Sequence, residues 1–444
     1  MKKYTLALAA TSMLLNVNYA MANDNADIQN LQDELKNLRA LYESRLTLLE
    51  NNLSKLEATK KIETSSVPAM EKSARTVRDN SFNPSIGLIL NGTMNTFSSN
   101  SSEMAGLAMG EEGERGKEGF SIGESELNIS ANIDDKFKAS STIAIVNEDG
   151  SDIIELEEAY IETLGGTLPY GLNVKAGRAL WTLGYLNEHH AHSDDFADRP
   201  LPYRAFLNKA YNDDGIEASM ILPTDLYTEI GGGVFRGDDF PHGGADSGVE
   251  AWSAFARVGG DIGDKQSWRL GASTLQGSSN GRASNEDVVN FTGDSDLYIA
   301  DVRYTWTPTG NSAKEEVIFQ GEYFYRDEDG RYEDTDAATG LVSVDGASSG
   351  WYAQGIYKWS PSWRAGIRYS QLNPMDTVAA LAGSALDAKG YKPKSISTML
   401  DWTNSEFSRL RFQYNHEELS RDVVDKQFVL QYTMSLGAHG AHKF

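Results

Sequence analysis

The chain has 444 residues, a formal net charge of −24 and no cysteine. Without cysteine it has no disulfides, no thiolate metal ligands and no thiol nucleophile. The acidic balance argues against a nucleic-acid partner, because binding to a phosphate backbone needs a basic surface. Forty-one glycines, 10% aromatic residues and only 11 prolines are typical of a large antiparallel β-protein.

Residues 1–22 have the pattern of a secretory signal peptide. Lys2 and Lys3 precede an apolar stretch at residues 6–15, and Ala20-Met21-Ala22 matches a small-residue cleavage site. The stretch is too short to span a membrane, and a buried N-terminal helix is the alternative interpretation. Cleavage removes the two lysines and no carboxylate, which changes the charge from −24 to −26. No uncharged apolar run of about 18 residues follows, so no transmembrane helix is predicted.

Residues 23–60 are predicted to form a short α-helical coiled coil in the periplasm. Apolar residues recur every three or four positions from Ile28 to Leu56, with one 4-4 step around Tyr42 and no proline or glycine. So narrow an apolar seam needs a partner in water, and we expect residues 27–57 to hold a homotrimer together. The alternative is an amphipathic helix that lies on its own barrel. Residues 61–81 are polar and are predicted to be a linker.

From residue 82 to residue 444 the hydrophobic period changes to two. Around Trp363–Tyr369, for example, apolar side chains alternate with Arg364, Gly366 and Arg368. No helical pattern interrupts these stretches, so the sequence predicts an all-β fold, a transmembrane antiparallel β-barrel of about 16 strands. The sixteen stretches begin near residues 85, 120, 136, 153, 171, 213, 226, 249, 268, 296, 315, 350, 363, 395, 408 and 426.

The lengths of the connections favour a membrane barrel over a soluble β-sandwich. If the chain enters from the periplasm, the odd connections face outward and most of them are long, whereas the even ones are short turns. A sandwich has no reason to sort its loops in this way, but a transmembrane barrel does. Tryptophans near strand ends, Trp181 and Trp363 among them, suit interfacial girdles, and packing in the core is the alternative. The long connections are residues 98–119, 182–212, 237–248, 278–295, 327–349 and 373–394.

Three stretches resemble a known family: Phe120–Leu127 (FSIGESEL), Asp198–Phe206 (DRPLPYRAF) and Gly437–Phe444 (GAHGAHKF). The family comprises proteobacterial outer-membrane proteins allied to the phosphate-selective porins O and P. Its members are often labelled zinc-regulated or TonB-dependent outer-membrane receptors. The resemblance covers most of residues 82–444 and implies a barrel in the outer membrane more firmly than a substrate. TonB-dependent receptors close about 22 strands around an N-terminal plug, and the predicted coiled coil and linker cannot build one.

One outward connection is rich in histidine. In sixteen-stranded porins the loop after strand five folds into the lumen, so we expect residues 182–212 to narrow the pore. Imidazole and carboxylate are the ligands that Zn²⁺ accepts where thiolate is lacking. No other cofactor is expected, and the alternative to zinc binding is a polar, pore-lining loop. His439 and His442 have H-x-x-H spacing and are a second candidate zinc pair. The alternative is that they belong to a periplasmic tail. The candidate zinc ligands are Glu188, His189, His190, His192, Asp194 and Asp195.

Basic residues fall on the predicted inner face of several strands. Such a wall favours anions in a pore. The alternative is that these cations pair with inner-face carboxylates such as Glu124, Glu126, Asp301 and Glu322 and only fill the interior. The acidic stretch at residues 327–336 matches a calcium loop only loosely, and we expect it to be a solvated external loop. The candidate pore-lining residues are Lys136, Lys138, Lys175, Arg303, Arg364, Arg368, Arg409 and Arg411.

The sequence contains no G-x-S-x-G elbow, Walker loop or H-E-x-x-H motif, so no enzyme is predicted. The favoured hypothesis is a porin-type channel in the outer membrane that lets small solutes, with a preference for anions, pass passively. Its expected surroundings are outer-membrane lipid and lipopolysaccharide. A metal-capturing receptor that uses residues 188–195 is one alternative. A structural tether or adhesin with a closed barrel is another.

Overall fold

The computed structural model describes residues 84–148, 151–244 and 248–437. This part of the chain contains seventeen strands, one α-helix and five short 3₁₀ segments. None of its helices is long and apolar enough to cross a membrane. The strands are β1 (Ser85–Phe97), β2 (Gly119–Ser121), β3 (Ser125–Asn132), β4 (Phe137–Glu148), β5 (Ser151–Thr163), β6 (Leu172–Leu180), β7 (Asn212–Ile221), β8 (Tyr227–Phe235), β9 (Ala251–Ile262), β10 (Gln266–Ser284), β11 (Val289–Trp306), β12 (Glu316–Asp334), β13 (Val342–Ser360), β14 (Trp363–Asn373), β15 (Lys394–Ser405), β16 (Ser408–Glu418) and β17 (Val424–Gly437). The helix is α1 (Leu201–Leu207), and the 3₁₀ segments are Glu111–Gly113, Pro169–Gly171, Leu186–Glu188, Ala191–Ser193 and Ala379–Leu381.

The strands form one closed antiparallel barrel. From β3 to β17 each strand pairs with the next in sequence, and β1 closes the sheet by pairing with β17 on one side and with β2 and β3 on the other. The strands β2 and β3 are two parts of one wall position, interrupted at Ile122–Glu124. The wall therefore has sixteen positions, which confirms the predicted barrel. The predicted signal peptide, coiled coil and linker, together with His439, His442 and Phe444, lie outside the described residues.

The two-residue period of the sequence separates the two faces of the wall. On β14 and β16, Ile367 and Phe412 point outward and are exposed, whereas the neighbouring Arg368 and Gln413 are buried. Exposed Trp306, Trp363 and Trp402 lie where β11, β14 and β15 meet the short turns. These positions suit a membrane interface, where an aromatic ring has one apolar and one wet side. Trp181, which follows β6, is fully buried and does not belong to such a girdle.

Two predicted external loops are mostly strand. The connection expected at residues 278–295 is the continuation of β10 and β11, and that at 327–349 the continuation of β12 and β13. The strands continue because the inward residues of these extensions pack together in a buried cluster that includes Phe291, Tyr332 and Val344. The acidic stretch 327–336 was therefore wrongly predicted to be a solvated loop. Most of it is β12, whose inward Glu328 forms an ion pair with Arg282.

The connection between β6 and β7, residues 181–211, lies inside the barrel, and we call it the inward loop. A single segment bonded to strands around a closed sheet has to run through its interior. Much of the apolar core forms where this loop, with α1, packs on the wall, and the largest fully buried side chain there is Trp181. Trp181 donates its Nε1–H to the Asp213 carbonyl at 2.9 Å, so at this residue the girdle prediction is wrong and the alternative, packing in the core, is correct. The wall residues bonded to the loop include Glu126, Glu158, Glu217, Arg257, Ser273, Glu322, Arg368 and Arg411.

Candidate functional site

Glu322 of β12 fixes the start of the inward loop. Its carboxylate accepts hydrogen bonds from the backbone N–H of Tyr185 at 2.9 Å, from Tyr203 Oη at 2.9 Å and from Tyr352 Oη at 2.6 Å. Gly184 lies against the same carboxylate: a Cβ there would be 2.1 Å from Glu322 Oε2, and its φ of +64° also favours glycine. The loop is thus fitted to one position on the wall.

The helix α1 fixes the second half of the loop. All seven of its residues are buried, and Phe206 stacks with Phe324 of the wall at 6.2 Å between ring centroids. Arg204 Nη1 forms an ion pair with Glu417 at 3.0 Å. The stretch Asp198–Phe206, which carries part of the family resemblance, is therefore the segment that packs the loop against the barrel.

Acidic residues of the loop and of the wall form ion pairs with three of the five arginines predicted to line the pore. Arg364 Nη1 lies 2.6 Å from Asp195 Oδ1, and Arg368 Nη2 lies 2.7 Å from Asp198 Oδ1. On the wall itself, Asp401 forms ion pairs with Arg364 and with Arg411, each at 2.8 Å.

The remaining arginine of this group, Arg409, is fully buried and donates to the backbone carbonyl of His192. These four of the five arginines predicted to line the pore therefore face the interior, and their contacts there hold the loop. This arrangement corresponds to the pairing alternative, in which arginines and carboxylates fill the interior together.

Three other predicted residues carry positive charge that no ion pair in the described part of the chain neutralises. Arg303 donates to the Gln320 amide oxygen and lies over the Tyr185 ring, 4.7 Å from its centroid. Lys175 lies between the rings of Tyr160 and Trp181, at 5.3 and 5.6 Å. Lys138 is half-buried on the inner face of β4.

Lys136 departs from the prediction. It is exposed in the turn between β3 and β4, beyond the end of the wall, and not on its inner face. Its place follows from the turn itself, because Asp134 accepts hydrogen bonds from the backbone N–H of Lys136 and of Phe137. A side chain at this point lies at the rim of the barrel.

The three histidines of the loop have different surroundings. His189 stacks on Tyr185, and burial lowers its pKa to about 4. Burial also lowers the pKa of His192, to about 3. Burial alone would lower the pKa of His190 as well, but the negative carboxylates of Glu157, Glu158 and Glu126 beside its ring raise that pKa well above its usual value.

The expected zinc ligand set is not brought together by the loop alone. Glu188 forms an ion pair with Arg257, Asp194 with Arg199 and Asp195 with Arg364. Burial raises the pKa of Asp194 to about 6. These carboxylates are engaged by guanidinium groups, because an arginine of the wall or loop faces each of them, and His189 points to the Tyr185 carbonyl.

The carboxylates that do surround His190 come from the wall. Glu126 Oε2 and Glu157 Oε1 each lie 3.2 Å from its Nδ1, and Glu158 Oε2 lies 3.0 Å from its Nε2. Glu157 and Glu158 are neighbours in sequence, and strict alternation would put them on opposite faces of β5. The register of β4 and β5 shifts between Thr142 and Ile143 and leaves Glu157 without a partner, which is a β-bulge. The sequence carries no clear signal for that bulge.

A closed wall of sixteen strand positions with a folded loop in its interior defines a porin-like β-barrel. Solved structures support this class. The chain has a TM-score of 0.51 and 12% identity with the outer membrane channel DcaP of Acinetobacter baumannii, over 80% of this chain and 97% of that one. With the anion-selective porin from Comamonas acidovorans the TM-score is also 0.51, at 10% identity, over 80% and 99% of the two chains.

Sequence comparison adds one relative. The chain is 28% identical over 357 residues to an uncharacterized protein of Aquifex aeolicus, which covers 74% of this chain and 71% of the other. No protein-family model matches the chain. The resemblance to the family of the phosphate-selective porins O and P therefore rests on the three sequence stretches given above.

Proposed function

We propose that this protein is an outer-membrane channel of porin type that lets small solutes pass through an interior narrowed by the inward loop. The observation that supports it most is the loop itself, which runs through a closed barrel and presents half-buried charged groups there. Asp198 and Glu188 on the loop are about a quarter exposed, at 26% and 25% of their side chains, and Arg269 on the wall is 23% exposed. Water therefore reaches the boundary between loop and wall.

The preferred solutes in this proposal are anions. Arg303, Lys175 and Lys138 keep their positive charge without an ion pair in the described part of the chain, whereas most acidic groups of the loop are paired with arginines. In a narrow interior of low dielectric constant, a few unpaired charges decide which ion enters. The proposal thus attributes selectivity to these three residues and assigns Arg364, Arg368, Arg409 and Arg411 to holding the loop.

The reversal potential of a bilayer under a potassium chloride gradient tests this assignment. The wild type should reverse on the chloride side of zero, and the double substitution Arg303→Gln with Lys175→Gln should move the potential toward that of potassium. Arg331→Gln is the matched control, because Arg331 is exposed on the outer face of β12. If the control shifts the potential as much as the double variant, or if the wild type prefers potassium, the proposed anion preference is wrong.

A further inference from the structure

The group around His190 has the dimensions of a metal site. One ligand atom each from Glu126, Glu157 and His190 lies within 4.8 Å of the others. Two of these separations, from His190 Nδ1 to each carboxylate, are both 3.2 Å. In a tetrahedral zinc site with bonds near 2 Å, ligand atoms are about 3.3 Å apart. The two separations from the imidazole therefore already match the spacing that such an ion requires, and the third lies within 4.8 Å.

Two of these groups carry atoms that the protein itself does not satisfy. Within the described residues, His190 Nδ1 is fully buried and has no hydrogen-bond partner although two carboxylates lie 3.2 Å from it, and Glu157 Oε2 is also buried without a partner there. Buried polar atoms without a partner are uncommon, because they lose their bonds to water and gain none. A cation between the imidazole and the carboxylates would bond to both.

The surroundings of the three side chains match those of a ligated histidine. A metal-bound imidazole usually donates its second N–H to a carboxylate, which fixes the ring and raises its basicity. His190 Nε2 lies 3.0 Å from Glu158 Oε2, so a ring protonated there leaves Nδ1 as the free ligand atom. On the other side, His192 Nδ1 lies 2.6 Å from the second oxygen of Glu126 and orients that carboxylate.

Charge favours the same conclusion. Glu126, Glu157 and Glu158 bring three negative charges to one imidazole. Lys175 of β6 lies over aromatic rings and forms no ion pair with the residues that the structure describes. A protonated His190 offsets one of these charges. A divalent ion offsets two and leaves the imidazole neutral, which removes the electrostatic strain that burial would otherwise intensify.

We propose that Glu126, Glu157 and His190 bind a divalent transition-metal ion of the Zn²⁺ class, with Glu158 and His192 as positioning residues. The ion joins three elements, β3, the bulge of β5 and the inward loop, and so fixes the loop to the wall near the β2–β3 interruption. This proposal is independent of the anion channel, because none of the five residues belongs to the group that carries the proposed selectivity.

Zinc titration of the purified full chain in detergent tests the proposal. All proteins carry His439→Gln and His442→Gln, so that the C-terminal histidines do not contribute. The expected result is one Zn²⁺ per chain by isothermal titration and by metal analysis after gel filtration, with an X-ray absorption spectrum of one imidazole and oxygen ligands. His190→Gln and Glu157→Gln should abolish binding, and Glu158→Gln should weaken it roughly 10–100-fold. His189→Gln is the control and should bind as tightly as the reference protein.

Two results of the titration would contradict the proposed site. If the reference protein takes up no zinc, or if His190→Gln takes up as much as His189→Gln, the site does not exist. Heat-modifiable migration in gels reports whether each variant is folded. Should His190→Gln fail to fold, the milder Glu158→Gln decides, because unchanged affinity in that variant contradicts the triad of carboxylate, histidine and metal. Bilayer currents of the same proteins test the channel separately.

Discussion

At the scale of single residues, the interior is built by exact complementarity between the inward loop and the wall. Glu322 accepts four hydrogen bonds, from the backbone N–H groups of Tyr185 and Leu186 and from two tyrosine hydroxyls. Each net hydrogen bond of this kind contributes about 1 kcal/mol, and leaving such a carboxylate unsatisfied costs more. The neighbouring glycine is part of the same fit, since it leaves room for the carboxylate.

Gly184→Ala should therefore destabilise the contact between the start of the inward loop and Glu322. The new Cβ would lie 2.1 Å from Glu322 Oε2, so either the carboxylate or the loop has to move, at a cost of roughly 1 kcal/mol or more. We expect a lower thermal unfolding midpoint in detergent and faster proteolysis within residues 181–211. Gly383→Ala is a matched control, because Gly383 also has a positive φ, +85°, but nothing within 4 Å of its Cβ position. Equal losses in both variants would mean that backbone strain alone, and not the fit to Glu322, is responsible.

At the scale of elements, alternation and connection length were enough to predict the wall. The sixteen expected strand starts correspond to the observed strands because each strand has one apolar outer face, and that pattern depends on local sequence alone. The ends of β10 to β13 were missed because their inward residues, such as Phe291 and Tyr332, continue the strand pattern into stretches that are polar overall.

The ligands of His190 were missed for a different reason. A bulge reverses the inward and outward assignment at Glu157, and only the pairing with β4 reveals it.

The predicted coiled coil is an element that lies outside the described residues, and its role stays a prediction. Replacing Leu35 and Leu49 with Asp puts charges into the apolar seam and should weaken a homotrimer held by residues 27–57. Native mass spectrometry of the intact protein and the double variant measures this directly. Substituting the polar residues Asn37 and Ser54 with Asp is the control for added charge. A monomeric wild type, or a double variant that stays fully trimeric, would argue against the coiled coil as the trimerisation element.

At the scale of the whole molecule, the proposed anion preference of the interior coexists with an acidic net charge. The net charge of −24 includes the outer surface and loops, whereas selectivity depends on the charges that remain unpaired inside. The likeness of the fold to porins at 10–12% identity supports the barrel. Passage of solutes through it is tested by bilayer recording. The resemblance found in the sequence led to the right architecture, but it did not reveal which arginines bind the loop and which residues stay unpaired.

Single-channel recording in planar bilayers tests the central claim, passage of solutes through the barrel, most directly. The purified wild type should insert with discrete, reproducible conductance steps that persist at low voltage, and the current should fall when a large anion is added on one side. Empty detergent and a heat-denatured sample are the controls. A folded, heat-modifiable barrel that produces no steps above these controls would contradict the channel and favour a closed barrel with a structural role.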